Sequence, residues 1–87
     1  MNTARTERFK RAIRRLSQEE QLLTHKALRN LLANVFRYPS LHVKRITGTA
    51  KILEARISRG CRMTFQLDED TLTLRNIGKH DATLKRP

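Results

Sequence analysis

The chain has 87 residues and carries 19 Lys and Arg against 8 Asp and Glu, a formal net charge of +11. That length makes one small domain, residues 1–87, with a modest core, and so large a positive charge points to a polyanionic partner such as nucleic acid, the ribosome, an acidic protein or a membrane surface. The single cysteine, Cys61, excludes an intramolecular disulfide, no Cys/His set has zinc-ligand spacing, and no apolar run reaches the roughly 18 residues needed to cross a membrane.

Two helices are expected first. Phe9, Ala12, Ile13 and Leu16 fall on one helical stripe, with Arg5, Arg8, Lys10, Arg11, Arg14 and Arg15 around the rest of the cylinder. Thr3 or Thr6 would cap the start. Ser17-Gln-Glu-Glu20 fits a capping box, with the serine bonding exposed amides and Glu20 reaching back. Leu22, Leu23, Ala27, Leu28, Leu31, Leu32 and Val35 supply the apolar face of the second helix. Tyr38-Pro39 should end it, because proline disfavours helical geometry in the residue before it. The two helices should form an antiparallel hairpin about Ser17.

A connector follows, with strand character over Leu41–Ile46 and a turn at Gly48. From Ile52 the chain alternates apolar and polar residues, as a half-buried strand does. Ser58-Arg59-Gly60 reads as a three-residue hairpin loop in which glycine takes positive φ. That loop sets Ile57 against Cys61, Arg56 against Arg62, Ala55 against Met63 and Glu54 against Thr64. A second turn at Asp68–Thr71 sets Leu67 against Leu72, Gln66 against Thr73, Phe65 against Leu74 and Thr64 against Arg75. Leu53, Ala55, Ile57, Cys61, Met63, Phe65, Leu72 and Leu74 then share one face, and a slip of one residue would wet a whole strand's apolar set. The helical hairpin should cover that face. Cys61 lies on the apolar parity and reads as a core side chain.

The other face carries Glu54, Arg56, Arg62 and Arg75, with His80 past the last strand after Gly78 and Lys79. Arg56 opposite Arg62 is a like-charge pair that destabilises a bare sheet. It becomes sensible if a phosphate sits between guanidiniums, each able to donate two parallel hydrogen bonds. An imidazole exchanges protons near neutral pH, and Glu54 is a second candidate proton acceptor. Such a set can break RNA without a metal. A base takes the ribose 2′-OH proton, the oxygen attacks the adjacent phosphate, arginines stabilise the developing charge, and an acid protonates the leaving 5′-oxygen. No cofactor is required. His25 is read as a surface or edge residue of the second helix. His42, with Lys44 and Arg45, would flank the same groove.

At this point the chain resembles the RelE/ParE superfamily of bacterial toxins. The resemblance rests on a first helix ending in Arg15-Leu16, the aromatic-Pro step Tyr38-Pro39, Leu41-His-Val-Lys-Arg-Ile-Thr-Gly48, Glu54-Ala-Arg-Ile57, Cys61-Arg-Met-Thr-Phe65 and Ile77-Gly-Lys-His-Asp81. It implies an α+β fold in which an N-terminal helical hairpin packs on a curved antiparallel sheet. Only residues 1–5 are available for the family's opening strand, so three to four strands are expected. A bare sheet edge would invite an antitoxin or a second copy, a homodimer.

The resemblance further implies a type II toxin that enters the ribosome and cuts mRNA there, neutralised by a cognate, acidic antitoxin. Its active-site positions fall on Glu54, Arg56, Arg62 and His80. Lys44, Arg45, Arg75 and Lys79 are expected to contact phosphate or RNA. Where many RNase members have an aromatic after the His80 position, this chain has Leu84. The alternatives are a ParE-like inhibitor of DNA gyrase, which binds without catalysing, and a general nucleic-acid-binding domain using the basic first helix. No secretory h-region is read near the N-terminus, so a cytoplasmic location without membrane contact is expected.

Overall fold

The computed structural model of the chain describes residues 2–33 and 41–87. The order is β1 (Asn2–Arg5), α1 (Glu7–Arg14), α2 (Gln18–Ala33), β2 (Lys44–Arg45), β3 (Ile52–Arg56), β4 (Cys61–Leu67), β5 (Thr71–Lys79) and α3 (His80–Lys85). The strands form one sheet in the order β1-β5-β4-β3-β2. The sheet therefore has five strands instead of three to four, and it is mixed, because β1 pairs parallel with β5. All four residues of β1 are exposed, so no alternation betrays it.

The starts of α1 and α2 are each set by a hydroxyl. The Phe9 amide donates to Thr6 Oγ1 at 3.0 Å, and the Thr6 hydroxyl donates to the Arg75 carbonyl at 2.8 Å. Thr6 is thus the cap, while Thr3 lies in β1. Before α2, the Glu20 amide donates to Ser17 Oγ at 3.1 Å; the Glu20 carboxylate meets the serine hydroxyl at 3.4 Å. The expected helix end at Tyr38-Pro39, and Val35, lie outside the described residues.

The core gathers Phe9 from α1, Ala27 and Leu31 from α2, and Ala55, Cys61, Met63, Phe65, Leu72, Leu74 and Ile77 from one sheet face. Leu22 and Leu32 stay in solvent at 65% and 43% exposure, against expectation. The buried stripe of α2 runs through Thr24, Ala27 and Leu31, and a residue five positions from Ala27 falls well off that stripe at helical spacing. Buried Thr24 spends its hydroxyl on the Glu20 carbonyl at 2.7 Å.

The β3–β4 register holds Glu54 against Thr64, Ala55 against Met63 and Arg56 against Arg62, as the sequence reading expected. Between β4 and β5 the expected pairs run from Leu67–Leu72 to Phe65–Leu74 and then shift. A bulge leaves Arg75 unpaired, so Thr64 opposes Asn76, not Arg75, and Arg62 opposes Gly78. Beyond the bulge Ile77 faces the core, where the earlier parity had even-numbered residues. Gly60 does not have positive φ; Gly48 and Gly78 do, at 86° and 157°.

Candidate functional site

The end of the sheet at the β3–β4 hairpin carries the cations. Arg56 and Arg62 share its last rung. Arg62 Nη1 donates to the carbonyls of Ser58 at 2.7 Å, Arg59 at 3.2 Å and Cys61 at 3.1 Å, so the side chain caps its own hairpin loop. Its Nε and Nη2 have no protein partner among the described residues, which leaves donors for an anion. Arg56 has no hydrogen bond or ion pair among the described residues.

His80 stands at the same end. It opens α3, and its backbone amide donates to the Gly60 carbonyl at 2.9 Å, pinning it to the loop that Arg62 caps. Its ring Nδ1 lies 2.8 Å from Asp81 Oδ1, which leaves Nε2 for exchange with a ligand. The histidine bond holds the exposed Asp81 carboxyl below its ordinary range. Lys79 opposes Cys61 on the adjoining rung and is exposed.

Glu54 sits two pairs back from the Arg56–Arg62 rung, 5% exposed, with Lys44 Nζ at 3.9 Å. The rung Glu54–Thr64–Asn76 is shut in by the C-terminal segment. Thr64 donates to the Pro87 carbonyl at 3.0 Å, and the Asn76 amide donates to the Arg86 carbonyl at 3.2 Å. Thr64 is fully buried on what was expected to be an open face.

Two expected site residues are not brought to the hairpin end. Arg75 turns to Gln66 Oε1 at 3.3 Å and the Pro87 carbonyl at 3.2 Å, beyond the covered rung. Gln66 lies four residues from Arg62 along β4, roughly 13 Å at strand rise. Arg45 pairs with Leu53, on the opposite parity from Lys44, and lines a shallow cavity with Asp68 and Glu69. Among the described residues no group of three His, Cys, Asp or Glu lies close enough to hold a metal ion. None of the described helices is long and apolar enough to cross a membrane.

No protein-family profile matches the chain, and no curated protein matches it. Solved structures do. A YoeB/ParE toxin from Agrobacterium tumefaciens superposes with a TM-score of 0.80 at 15% identity, over 92% of this chain and 99% of that one. The intact E. coli RelBE toxin–antitoxin complex matches with a TM-score of 0.74 at 17% identity, over 92% and 96%. A RelB–RelE complex from Methanococcus jannaschii matches with a TM-score of 0.77 at 10% identity, over 97% and 98%. The chain has the RelE/ParE toxin fold.

Within that RelE/ParE fold, sequence reasoning missed α3 and the segment after it. No side chain caps α3, and Thr83 is its one buried residue, so neither a capping signal nor an apolar stripe marks it. It also missed a groove of about 680 Å³ between α1, β5 and α3, with Arg8, Arg11, Arg15 and Lys79 on its walls. The basic residues of α1 were visible in the sequence. Their meeting with Lys79 needed the bulge and α3.

Proposed function

We propose that this protein is the toxin of a type II toxin–antitoxin pair and that it cleaves mRNA bound to the ribosome. The rung shared by Arg56 and Arg62, with His80 pinned to the same hairpin loop, carries the reading. Two guanidiniums at one rung repel each other unless an anion lies between them, and a phosphodiester fits their forked donors. The RelE/ParE fold adds support, since two of the matched structures are toxin–antitoxin complexes.

The chemistry is attack by the ribose 2′-oxygen on the neighbouring phosphorus. The new O2′–P bond forms as the P–O5′ bond breaks. Arg62 and Arg56 stabilise the charge gathering on the phosphoryl oxygens, which is where preorganised donors contribute most. His80 exchanges a proton through Nε2. Glu54, enclosed beside Lys44, orients its neighbours. Lys44 and Lys79 guide the strand, and Arg75 contributes only to the long-range field. The product carries a 2′,3′-cyclic phosphate or a 3′-phosphate, and DNA, lacking the nucleophile, is spared.

The partner that silences it is an acidic antitoxin. It faces a net charge of +11, so binding weakens with salt while apolar contacts persist. One observation favours the gyrase-binding alternative: the Arg62 Nη1 group is already engaged by three loop carbonyls. A translation reaction mapped for mRNA 3′ ends, run beside a gyrase supercoiling assay, separates the two. Cleavage confined to ribosomes supports the endonuclease. Lost supercoiling with intact mRNA supports the gyrase reading.

A further inference from the structure

We infer that the groove between α1, β5 and α3 holds the message where it runs on from the cut, gripping its phosphates between Arg8, Arg11 and Arg15 on one wall and Lys79 on the other; this rests on the endonuclease reading above. The three arginines, two in α1 and one at its C-cap, stand at i, i+3 and i+7. They therefore form one row, roughly 10 Å long at helical rise. Like charges at these spacings weaken a helix. Arg11 and Arg15 are exposed and have no hydrogen bond or ion pair among the described residues. The Arg8 guanidinium donates to the Arg86 carbonyl, which ties the row to the segment after α3. The one acid on these walls, Glu20, accepts from the Ser17 hydroxyl at 3.4 Å. A row of unpaired cations facing another cation across a groove is what a polyanion would stabilise.

The groove is continuous with the candidate site. Gly60 lines it, and the Gly60 carbonyl accepts from the His80 amide at 2.9 Å. Gly78 lines it too, and Gly78 opposes Arg62. A Cβ at Gly60 would meet nothing within 4 Å, so the rim at the hairpin loop is open. Arg62 and Lys79 lie on neighbouring rungs, and their side chains leave opposite faces of the sheet. A strand held at both rounds the end of the sheet over Gly60.

RNA suits this track better than an acidic protein does. A groove of spaced cations follows a sugar–phosphate backbone without reading its sequence. The message is also the polyanion that the adjoining end already takes, so one strand accounts for both clusters.

The test measures binding of a short single-stranded 2′-O-methyl RNA, which lacks the nucleophile, to the full chain over a salt series. Each phosphate contact contributes roughly 0.7 to the slope of log affinity against log salt for a single strand. Arg11→Gln with Arg15→Gln should therefore flatten the slope by roughly 1.4. Lys10→Gln with Arg14→Gln removes the same charge from the other flank of α1 and should leave the slope near wild type. Arg11→Lys with Arg15→Lys keeps the charge and should keep the slope. Circular dichroism checks that each variant folds. A groove pair with the wild-type slope overturns the proposal, and so does an equal flattening by both glutamine pairs, which marks net charge alone. A groove pair that keeps its RNA affinity and loses poly-L-glutamate marks a protein site and overturns it as well. Binding to vacant and to message-programmed ribosomes separates the two RNA sources. A loss confined to programmed ribosomes supports the proposal; an equal loss on vacant ribosomes assigns the groove to ribosomal RNA and overturns it. A wild-type protein that cuts no mRNA overturns the endonuclease reading and this inference with it. A wild type that cuts, beside a groove pair of unchanged slope, overturns this inference alone.

Discussion

Arg56 and Arg62 oppose each other on the last rung of the β3–β4 ladder, and no carboxylate among the described residues bridges them. A directly opposed like-charge pair costs a sheet stability. The Arg56→Thr variant should therefore be more stable than wild type by roughly 0.2–1 kcal/mol, with the gain shrinking in high salt. The same variant should cleave poorly. Urea unfolding at two ionic strengths, beside the cleavage assay, measures both. A destabilised Arg56→Thr would mean the rung is not a strained pair.

Arg62→Ala should lower mRNA cleavage by roughly 10²–10³-fold, the loss typical of one donor to a developing oxyanion. The fold should survive, because the lost bonds run only to the adjoining hairpin loop. Far-UV circular dichroism and a melting curve check the fold, and 3′-end mapping checks the rate. Normal cleavage by Arg62→Ala would remove this residue from the mechanism.

The two glycines near the site should behave in opposite ways. Gly60 lacks positive φ, and a Cβ there would meet nothing within 4 Å. Gly60→Ala should be neutral or more stable by about 0.4–1 kcal/mol, through loss of unfolded-state freedom. Gly78, which opposes Arg62, has φ 157° and would set its Cβ 3.1 Å from Thr83 Oγ1. Gly78→Ala should cost roughly 1–3 kcal/mol. Equal unfolding midpoints for the two variants would contradict this account of β5.

Burial pushes the Cys61 thiol up to about 11 from an ordinary 9.0, with Glu20 adding to the rise. Unfolded, the thiol ionises earlier than it does in the fold. This group's contribution to stability is therefore complete below about pH 9 and is lost as pH rises towards 11. Alkylation at pH 8 should be slow in the native protein and fast in urea. Rapid native labelling would show that Cys61 is not enclosed in the core.

The parts of this fold visible in the sequence are those fixed by local chemistry. Thr6 and Ser17 cap because a hydroxyl must meet exposed amides, and the β3–β4 register follows from a short loop plus alternation. What stayed hidden depends on distant partners. The bulge at Arg75 is stabilised by Thr6 from the far end of the chain, whose hydroxyl meets the Arg75 carbonyl. The exposed β1 and uncapped α3 carry no apolar pattern of their own. The cover over Thr64 comes from the carbonyl of Pro87, which no side-chain pattern encodes. The cation cluster was thus legible as composition on one face, while its division, with Arg75 beyond the covered rung, was not.

The most direct measurement is the chemistry of the mRNA 3′ ends made on ribosomes, using message with a single 2′-deoxy nucleotide at the cut position as control. The account predicts ends bearing a 2′,3′-cyclic phosphate or 3′-phosphate, made by wild type and lost with the 2′-deoxy message. Free 3′-hydroxyl ends, or a 2′-deoxy message cut as fast as the normal one, would contradict it.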